Sequence, residues 1–247
     1  VELHRIRHEV VDSTSERALA ALAEGTARHG DVHEAEAQTA GRGRRGARWA
    51  SARGEGLYLS LVLLPASAPR PTALTMGAGL AVLESVRALG ARTARLKWPN
   101  DILAEDGRGR AAKLAGILVE ARGLDPARPH AVVGVGLNVL QRAFPRELEE
   151  QRAVTSLALL GCAVTLAEAR EELLARLGER LDEACARPAA SAEAYAQALG
   201  LVERRVCARF GQEERRGRLE ELTLDGLVIA GERLALEHVQ ALAEEPG

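Results

Sequence analysis

Lysine is nearly missing from this chain of 247 residues: of thirty-three basic residues, only Lys97 and Lys113 are lysine. Lysine is a compact point charge on a flexible stem, whereas arginine is a rigid planar fork. Two lysines sixteen residues apart in an arginine-rich chain are either survivors of a coding bias or marks of a site that needs the small head group. Aromatic residues are equally scarce. Two each of Trp, Tyr and Phe leave the core to Leu, Val, Ala and Ile, and 47% apolar residues are enough to build one. Cys162, Cys185 and Cys207 are odd in number and form no CxxC pair, which argues against a disulfide framework or a zinc site and fits a reducing, cytoplasmic setting. No apolar run approaches the ~20 residues needed to span a bilayer, and the N-terminal VELHRIRHEVV is charged throughout, unlike a signal peptide. The net charge of −2 gives no global attraction to nucleic acid or an anionic membrane, so any anion site is local. There is no GxSxG elbow and no Cys–His arrangement for nucleophilic catalysis. His29 and His33 have metal-ligand spacing, but Gly30 lies between them and no third ligand is apparent, so surface histidines are expected.

The length allows one large domain, or one domain and a small one. Residues 4–11 read as a strand. Ser13 and Glu16 have the spacing of a capping box, opening a helix to about residue 28. A short strand covers 32–38, and the glycine-rich stretch 39–56 is loop. LYLSLVLL (57–64) reads as a buried strand, 72–89 as a helix, and 95–98 as a strand ending at Pro99. Residues 102–105 and 113–120 flank the hairpin-type turn Asp106-Gly107-Arg108-Gly109. HAVVGVGLNVL (130–140) is a strand whose glycines mark close approach by a ligand or another backbone. Leu166, Ala169, Leu173, Leu177 and Leu181 form a helical stripe, with Thr165 and Glu168 as a second capping box and a break at 187–191. From about Leu201 short alternating segments suggest a separate β domain, giving units 1–199 and 200–247. Consecutive strands mixed with helices predict an α+β fold with a mixed sheet rather than a doubly wound parallel one.

Four segments carry chemistry. GRGRRG (41–46) combines glycines, which let backbone N–H groups approach a ligand, with forked arginine donors. It suits a polyanion, yet it is neither a P-loop nor a dinucleotide fingerprint, and disordered or RNA-binding Arg/Gly runs share its composition. Trp49 could stack on a base or simply pack. In KWPNDIL (97–103), Pro99, Asn100 and Asp101 suit a turn. Functionally, Lys97 would stand near phosphate, and Asp101 would hold Mg²⁺ beside phosphate oxygens or orient an attacking amine. In KLAGILVE (113–120), one cation opening an apolar strand suits a ligand whose apolar chain ends in carboxylate; an edge-strand guard against aggregation is the other reading. In GVGLNV (134–139), Asn138 follows two strand glycines, and a satisfied turn asparagine is the plain alternative.

Taken in order, Asp12-Ser13-Thr14, QTAGRGRRG (38–46) with Trp49, KWPNDIL, KLAGILVE, GVGLNV and TSL (155–157) resemble the biotin–protein ligases. The resemblance spans about residues 10–160; the C-terminal region resembles the family's small SH3-like domain more loosely. It implies a ligase in which biotin and MgATP give biotinyl-5′-AMP and pyrophosphate. A lysine of a biotin carboxyl carrier protein, or of a carboxylase's biotin domain, then takes the biotin. By position, the resemblance puts Ser13, Thr14, Gln38, Gly41, Arg42, Arg44, Lys113, Gly116, Gly134 and Gly136 around biotin and its activated carboxylate. Arg42, Arg44, Trp49, Lys97, Asn100, Asp101 and Asn138 fall on the nucleotide side, with Arg44, Lys97, Asp101 and Lys113 as the catalytic set and Asp101 as the Mg²⁺ ligand. No protein nucleophile is needed, because biotin's carboxylate attacks the α-phosphate; positioning and charge stabilisation do the rest.

Two positions depart from the family pattern. Ser15 stands where asparagine is usual, with an effect expected only on a local cap. Ala47 replaces a further basic residue, leaving the loop one charge fewer unless Arg48 compensates. Because the motifs begin by Asp12, the resemblance implies a monofunctional type without an N-terminal DNA-binding domain, and it allows a homodimer. A lipoate or octanoyl ligase of the same superfamily is the nearest alternative. An Arg/Gly nucleic-acid module is a more distant one, disfavoured by the near-neutral charge.

Overall fold

The computed structural model describes residues 2–65, 70–121 and 129–245. Strand β1 (His4–Val11), helix α1 (Thr14–Ala23) and strand β2 (Asp31–Gln38) form a crossover that leaves the two strands parallel. Then come β3 (Gly56–Leu63), α2 (Pro71–Ala88), β4 (Arg95–Lys97), β5 (Asp101–Glu105), β6 (Ala111–Glu120) and β7 (Ala131–Asn138). These seven strands make one mixed sheet in the order β1-β2-β3-β7-β6-β5-β4. Helices α3 (Arg146–Gln151), α4 (Leu166–Ala186) and α5 (Pro188–Leu199) follow. The chain ends in β8 (Arg205–Phe210), β9 (Glu213–Thr223), β10 (Gly226–Ile229), β11 (Glu232–Leu234) and β12 (Ala241–Glu244), a second sheet ordered β11-β10-β9-β8-β12. The expected α+β architecture with a mixed sheet is what the chain adopts.

Strand periodicity divides the large sheet into two faces. Leu57, Leu59, Leu61 and Leu63 of β3 join α2 and α4 in the main core, while Val62 packs beneath α1 with Ala18 and Val132. Every residue of β3 is buried because helices cover both sides of it. Helix α2 is buried nearly all round: a Cβ at Gly77 would meet Ala184 Cβ and the Arg180 carbonyl at 2.9 Å, and one at Gly79 would meet Tyr195 at 3.1 Å. The α4 stripe is realised, with Leu173, Leu177 and Leu181 fully buried. Cutting any of these leucines to alanine costs about 2–5 kcal/mol.

The two predicted capping boxes have different fates. Thr165 and Glu168 close theirs reciprocally, at 3.2 and 2.8 Å. Ser13 makes no side-chain cap; its backbone N–H donates to Asp12 Oδ1 at 2.6 Å, the Glu16 carboxylate pairs with Arg42, and α1 stops at Ala23 rather than near residue 28. The break before α5 shrinks to Arg187.

The second sheet shares its apolar interior with the first, since Val206, Leu219, Leu227 and Val239 belong to the same core cluster as Leu96 and Trp98. The Trp98 indole donates to the Val239 carbonyl at 3.1 Å, and Arg70 pairs with Asp225 at 2.9 Å. Among the described residues, no helix is long and apolar enough to cross a membrane.

Candidate active site

On the α1 face of the large sheet, a cavity of about 200 Å³ opens between the start of α1, the Arg/Gly loop and strands β3, β5, β6 and β7. Its two ends differ chemically.

One end is neutral and hydroxyl-rich. Ser13, Thr14 and Ser15 reach it from the entry to α1, Gln38 from the end of β2 and Ser60 from β3. Gln38 Oε1 accepts from the Thr14 backbone N–H at 2.8 Å and from the Thr14 hydroxyl at 3.2 Å, while Gln38 Nε2 donates to Ser51 Oγ at 2.8 Å. Ser60 Oγ lies 2.8 Å from Thr14 Oγ1 and 3.0 Å from Ser15 Oγ. The expectation that Ser15 affects only a local cap is therefore corrected: it is 5% exposed and lines the cavity. Register explains the geometry, because Ser60 faces Gly134 across β3–β7.

The other end is cationic. Lys113 Nζ donates to Asp101 Oδ1 at 2.5 Å and lies 5.4 Å from the centre of the Trp49 ring. Burial pulls the Lys113 pKa below the usual lysine value; Asp101 opposes this, while Arg152 and Lys97 add to it. Arg44 is likewise lowered, first by burial and then by Arg45, against the pull of Asp101. Asn100 holds the corner by donating to the Ile117 carbonyl at 2.7 Å and accepting from Arg44 at 3.2 Å. Arg152, which the sequence reading did not single out, also lines this end. Its backbone is stitched beside Lys113, whose N–H bonds Ala153 O and whose carbonyl accepts from Thr155 N, both at 2.9 Å.

The Arg/Gly loop covers the cavity as a small hairpin. Trp49 N–H donates to Gly41 O at 2.9 Å, Arg42 pairs with Arg48, and Gly43 N–H donates to Ala47 O at 2.7 Å. Arg45 and Gly46 take positive φ at the tip. Its arginines mostly bind the protein itself. Arg42 bridges Glu16 and the buried Glu120, and Arg48 donates to Thr39 O at 2.8 Å. Arg48 keeps its charge and also lines the cavity.

The strand glycines are approached by side chains. A Cβ at Gly136 or Gly116 would meet the Trp49 ring at 2.4 and 2.9 Å, and one at Gly134 would meet Ser15 Oγ at 3.0 Å. Gly41 sits just behind the lining, where a Cβ would strike Trp49 O, Gln38 and Ser51 at 2.6–2.9 Å.

Of the positions singled out in the sequence, Ser13, Thr14, Gln38, Arg42, Arg44, Trp49, Asn100, Asp101, Lys113, Gly116, Gly134 and Gly136 come together around this cavity. Lys97 does not; it is exposed, paired in register with Asp101 across β4–β5. Asn138 is buried and donates to Thr155 O at 2.9 Å, in a side recess with Trp49, Phe144 and Arg152. His33, expected at the surface, is 4% exposed, and His29 accepts from Leu64 N–H at 2.9 Å. Ser60 was missed; its signal was a lone serine inside the apolar run LYLSLVLL. Among the described residues no cluster of three or more His, Cys, Asp or Glu could hold a metal ion. A magnesium ion brought by a nucleotide needs only one or two protein carboxylates, and Asp101 is the carboxylate in the lining.

A second cavity, of about 620 Å³, lies on the other side of the hairpin, between Arg42–Arg48, the start of α2, and Leu236–Val239.

Comparison with known proteins gives a consistent picture. Residues 8–138 match the Biotin/lipoate A/B protein ligase family. The chain is 38% identical over 147 residues to the bifunctional ligase/repressor BirA of Escherichia coli, covering 59% of this chain and 44% of that protein. It is 42% identical over 175 residues to the biotin–[acetyl-CoA-carboxylase] ligase of Mycobacterium tuberculosis, covering 69% of this chain and 59% of that one. Thus the matched region is under two thirds of the length of these relatives. Among solved structures, the Aquifex aeolicus biotin protein ligase in complex with biotin and ATP superposes with a TM-score of 0.77 at 26% identity, covering 98% of this chain and 99% of that one.

Proposed function

The chain belongs to the biotin/lipoate A/B protein ligase family, and from that premise we propose that it activates biotin with ATP and transfers it to a carrier protein. In the first step a biotin carboxylate oxygen attacks the α-phosphorus of ATP, forming biotinyl-5′-AMP as pyrophosphate leaves. In the second, a lysine amine of a biotin carboxyl carrier protein or carboxylase biotin domain attacks the acyl carbon. AMP leaves, and the amine loses its proton.

The observation that carries this reading is the polarity of one cavity, with a hydroxyl-and-amide end opposite a cationic end. The former suits a cyclic urea; the latter suits a carboxylate becoming an acyl phosphate. Lys113 holds the carboxylate, and Arg44 the phosphate that forms beside it. Asp101 keeps Lys113 charged and oriented. Trp49, Asn100 and Asn138 lie on the nucleotide side, while Lys97, exposed and outside the cavity lining, has no assigned contact. Asp101 is the carboxylate that would hold an Mg²⁺ ion, which would supply charge neutralisation at the phosphates. The second cavity offers the incoming amine a route that leaves the hydroxyl end closed. Residues 200–247 form a small SH3-like β domain in this reading, supported by their own five-stranded sheet.

A lipoate or octanoate ligase is less well supported, because an alkyl end would desolvate four hydroxyls and an amide without replacing their hydrogen bonds. A nucleic-acid module is disfavoured because the loop arginines bind Glu16, Glu120, Asn100 and Thr39. Incubation with biotin, ATP and a carrier domain should release pyrophosphate and label one carrier lysine. Release that depends on octanoate or lipoate instead would defeat the proposal.

A further inference from the structure

The hydroxyl end of the cavity has a direction. Gln38 Oε1 accepts from the Thr14 backbone N–H, a donor that cannot reverse, so the amide's orientation is fixed. The Thr14 hydroxyl, 3.2 Å from the same oxygen, must then donate to it. A hydroxyl has one hydrogen. Thr14 Oγ1 is therefore the acceptor toward Ser60, and Ser60 Oγ in turn the acceptor toward Ser15, at 2.8 and 3.0 Å. Donors run from Ser15 through Ser60 and Thr14 to Gln38, which donates to Ser51, and Ser51 donates to Trp49 O at 3.3 Å. With their own hydroxyl hydrogens committed, Thr14 and Ser15 present only lone pairs to the cavity.

We propose that Ser15 and Ser60 are positioning residues that fix the hydrogen-bond polarity of this end, making it an acceptor wall that selects N–H donors. The inference rests on the biotin reading, because the wall then receives N–H of the ureido ring. Ser60 acts through its neighbours: it takes the Ser15 hydrogen out of the cavity and donates its own to Thr14, whose hydrogen Gln38 already holds. Gly134 makes room for this, since a Cβ there would stand 3.0 Å from Ser15 Oγ and 3.4 Å from Leu118 O. A serine committed to Ser60 offers the cavity only an acceptor.

The test is calorimetry on wild type, S15A and S60A with biotin and with biotin analogues in which oxygen replaces one or the other ureido N–H. Such a cyclic carbamate keeps the shape but sets lone pair against lone pair. Wild type should bind biotin about tenfold or more tightly than the carbamate aimed at the wall. In S60A the Ser15 hydrogen is released and can donate to the carbamate oxygen, so the ratio should narrow by at least about threefold. S15A should narrow it too, by removing the opposing lone pair, while the KM for ATP stays at the wild-type value in both. Should S60A fail to fold, S15A alone decides. Biotin binding with an unchanged ratio overturns this inference and leaves the ligase reading intact. No biotin binding, with octanoate or lipoate bound instead, removes the reading and the inference with it.

Discussion

The two ends of the cavity are held in opposite ways. At the hydroxyl end, hydrogen bonds run through neutral groups from Ser15 to Trp49, and the wall is complete before any ligand arrives. At the cationic end Lys113 is neutralised by Asp101, Arg44 has only a 3.2 Å bond to Asn100, and no ion pair or hydrogen bond engages the Arg152 side chain among the described residues. A neutral headgroup can be received by prearranged dipoles without changing the local charge. In the proposed reaction a carboxylate that becomes an acyl phosphate changes charge as it reacts, so its site needs cations that can be redistributed. One end is a mould; the other is a reserve of charge.

The strongest way to break this comparison is to empty the reserve. Lys113→Ala leaves Asp101 partly buried without its partner, a loss of about 3–5 kcal/mol for such pairs. Biotin affinity by calorimetry should fall a hundredfold or more, and unchanged affinity would remove Lys113 from the carboxylate. Next in size is damage to the mould. Gln38→Leu takes away the acceptor that orders the hydroxyls, so the KM for biotin should rise about tenfold while the KM for ATP holds; equal rises in both would mean the ends are not separate. Arg44→Gly should loosen retention of the adenylate and raise biotin labelling of added albumin several-fold; labelling at the wild-type level would deny Arg44 that role.

The smallest effect is set by pH. His33 faces Ser60 in register across β2–β3, its Nε2 is buried without a partner, and it stacks on His8 with ring centres 5.4 Å apart. Burial lowers both histidines below the ordinary value. For His33 the His8 and Arg17 charges add to this and Asp31 opposes it; for His8, Arg17 adds. A lowered histidine is protonated more readily unfolded than folded. Its contribution is therefore intact above about pH 6.5 and is lost as pH falls below that. The melting temperature should drop by a few degrees between pH 7.5 and 5.5, and less in His33→Gln. An equal drop in the variant would exonerate the pair.

Much of this was legible in the chain. Strands and helices with clear periodicity, such as LYLSLVLL and the Leu166–Leu181 stripe, formed where expected, and six short motifs brought most of the cavity lining together. What escaped had no local signal. Helix α3 is a single RELEEQ turn without an apolar stripe, and β12 is four residues that become a strand only by pairing with β8. Ser15 looked like a cap variant because its partner, Ser60, is forty-five residues away. Glu16 had the spacing of a capping partner, and only the fold brings Arg42 close enough to claim it. Lys97 carries the right charge in the right motif, yet strand alternation leaves it exposed. Sequence spacing identifies neighbours along the chain, whereas hydrogen-bond ownership is decided between strands.

The indole of Trp98 has a consequence for how the protein tolerates trimming. Its N–H is anchored on the Val239 carbonyl, and the same short turn carries Asn100 and Asp101. A chain break just ahead of Val239 would therefore loosen the Asn100–Asp101 corner more than a hundred positions upstream, so this late segment serves as a tether for the turn.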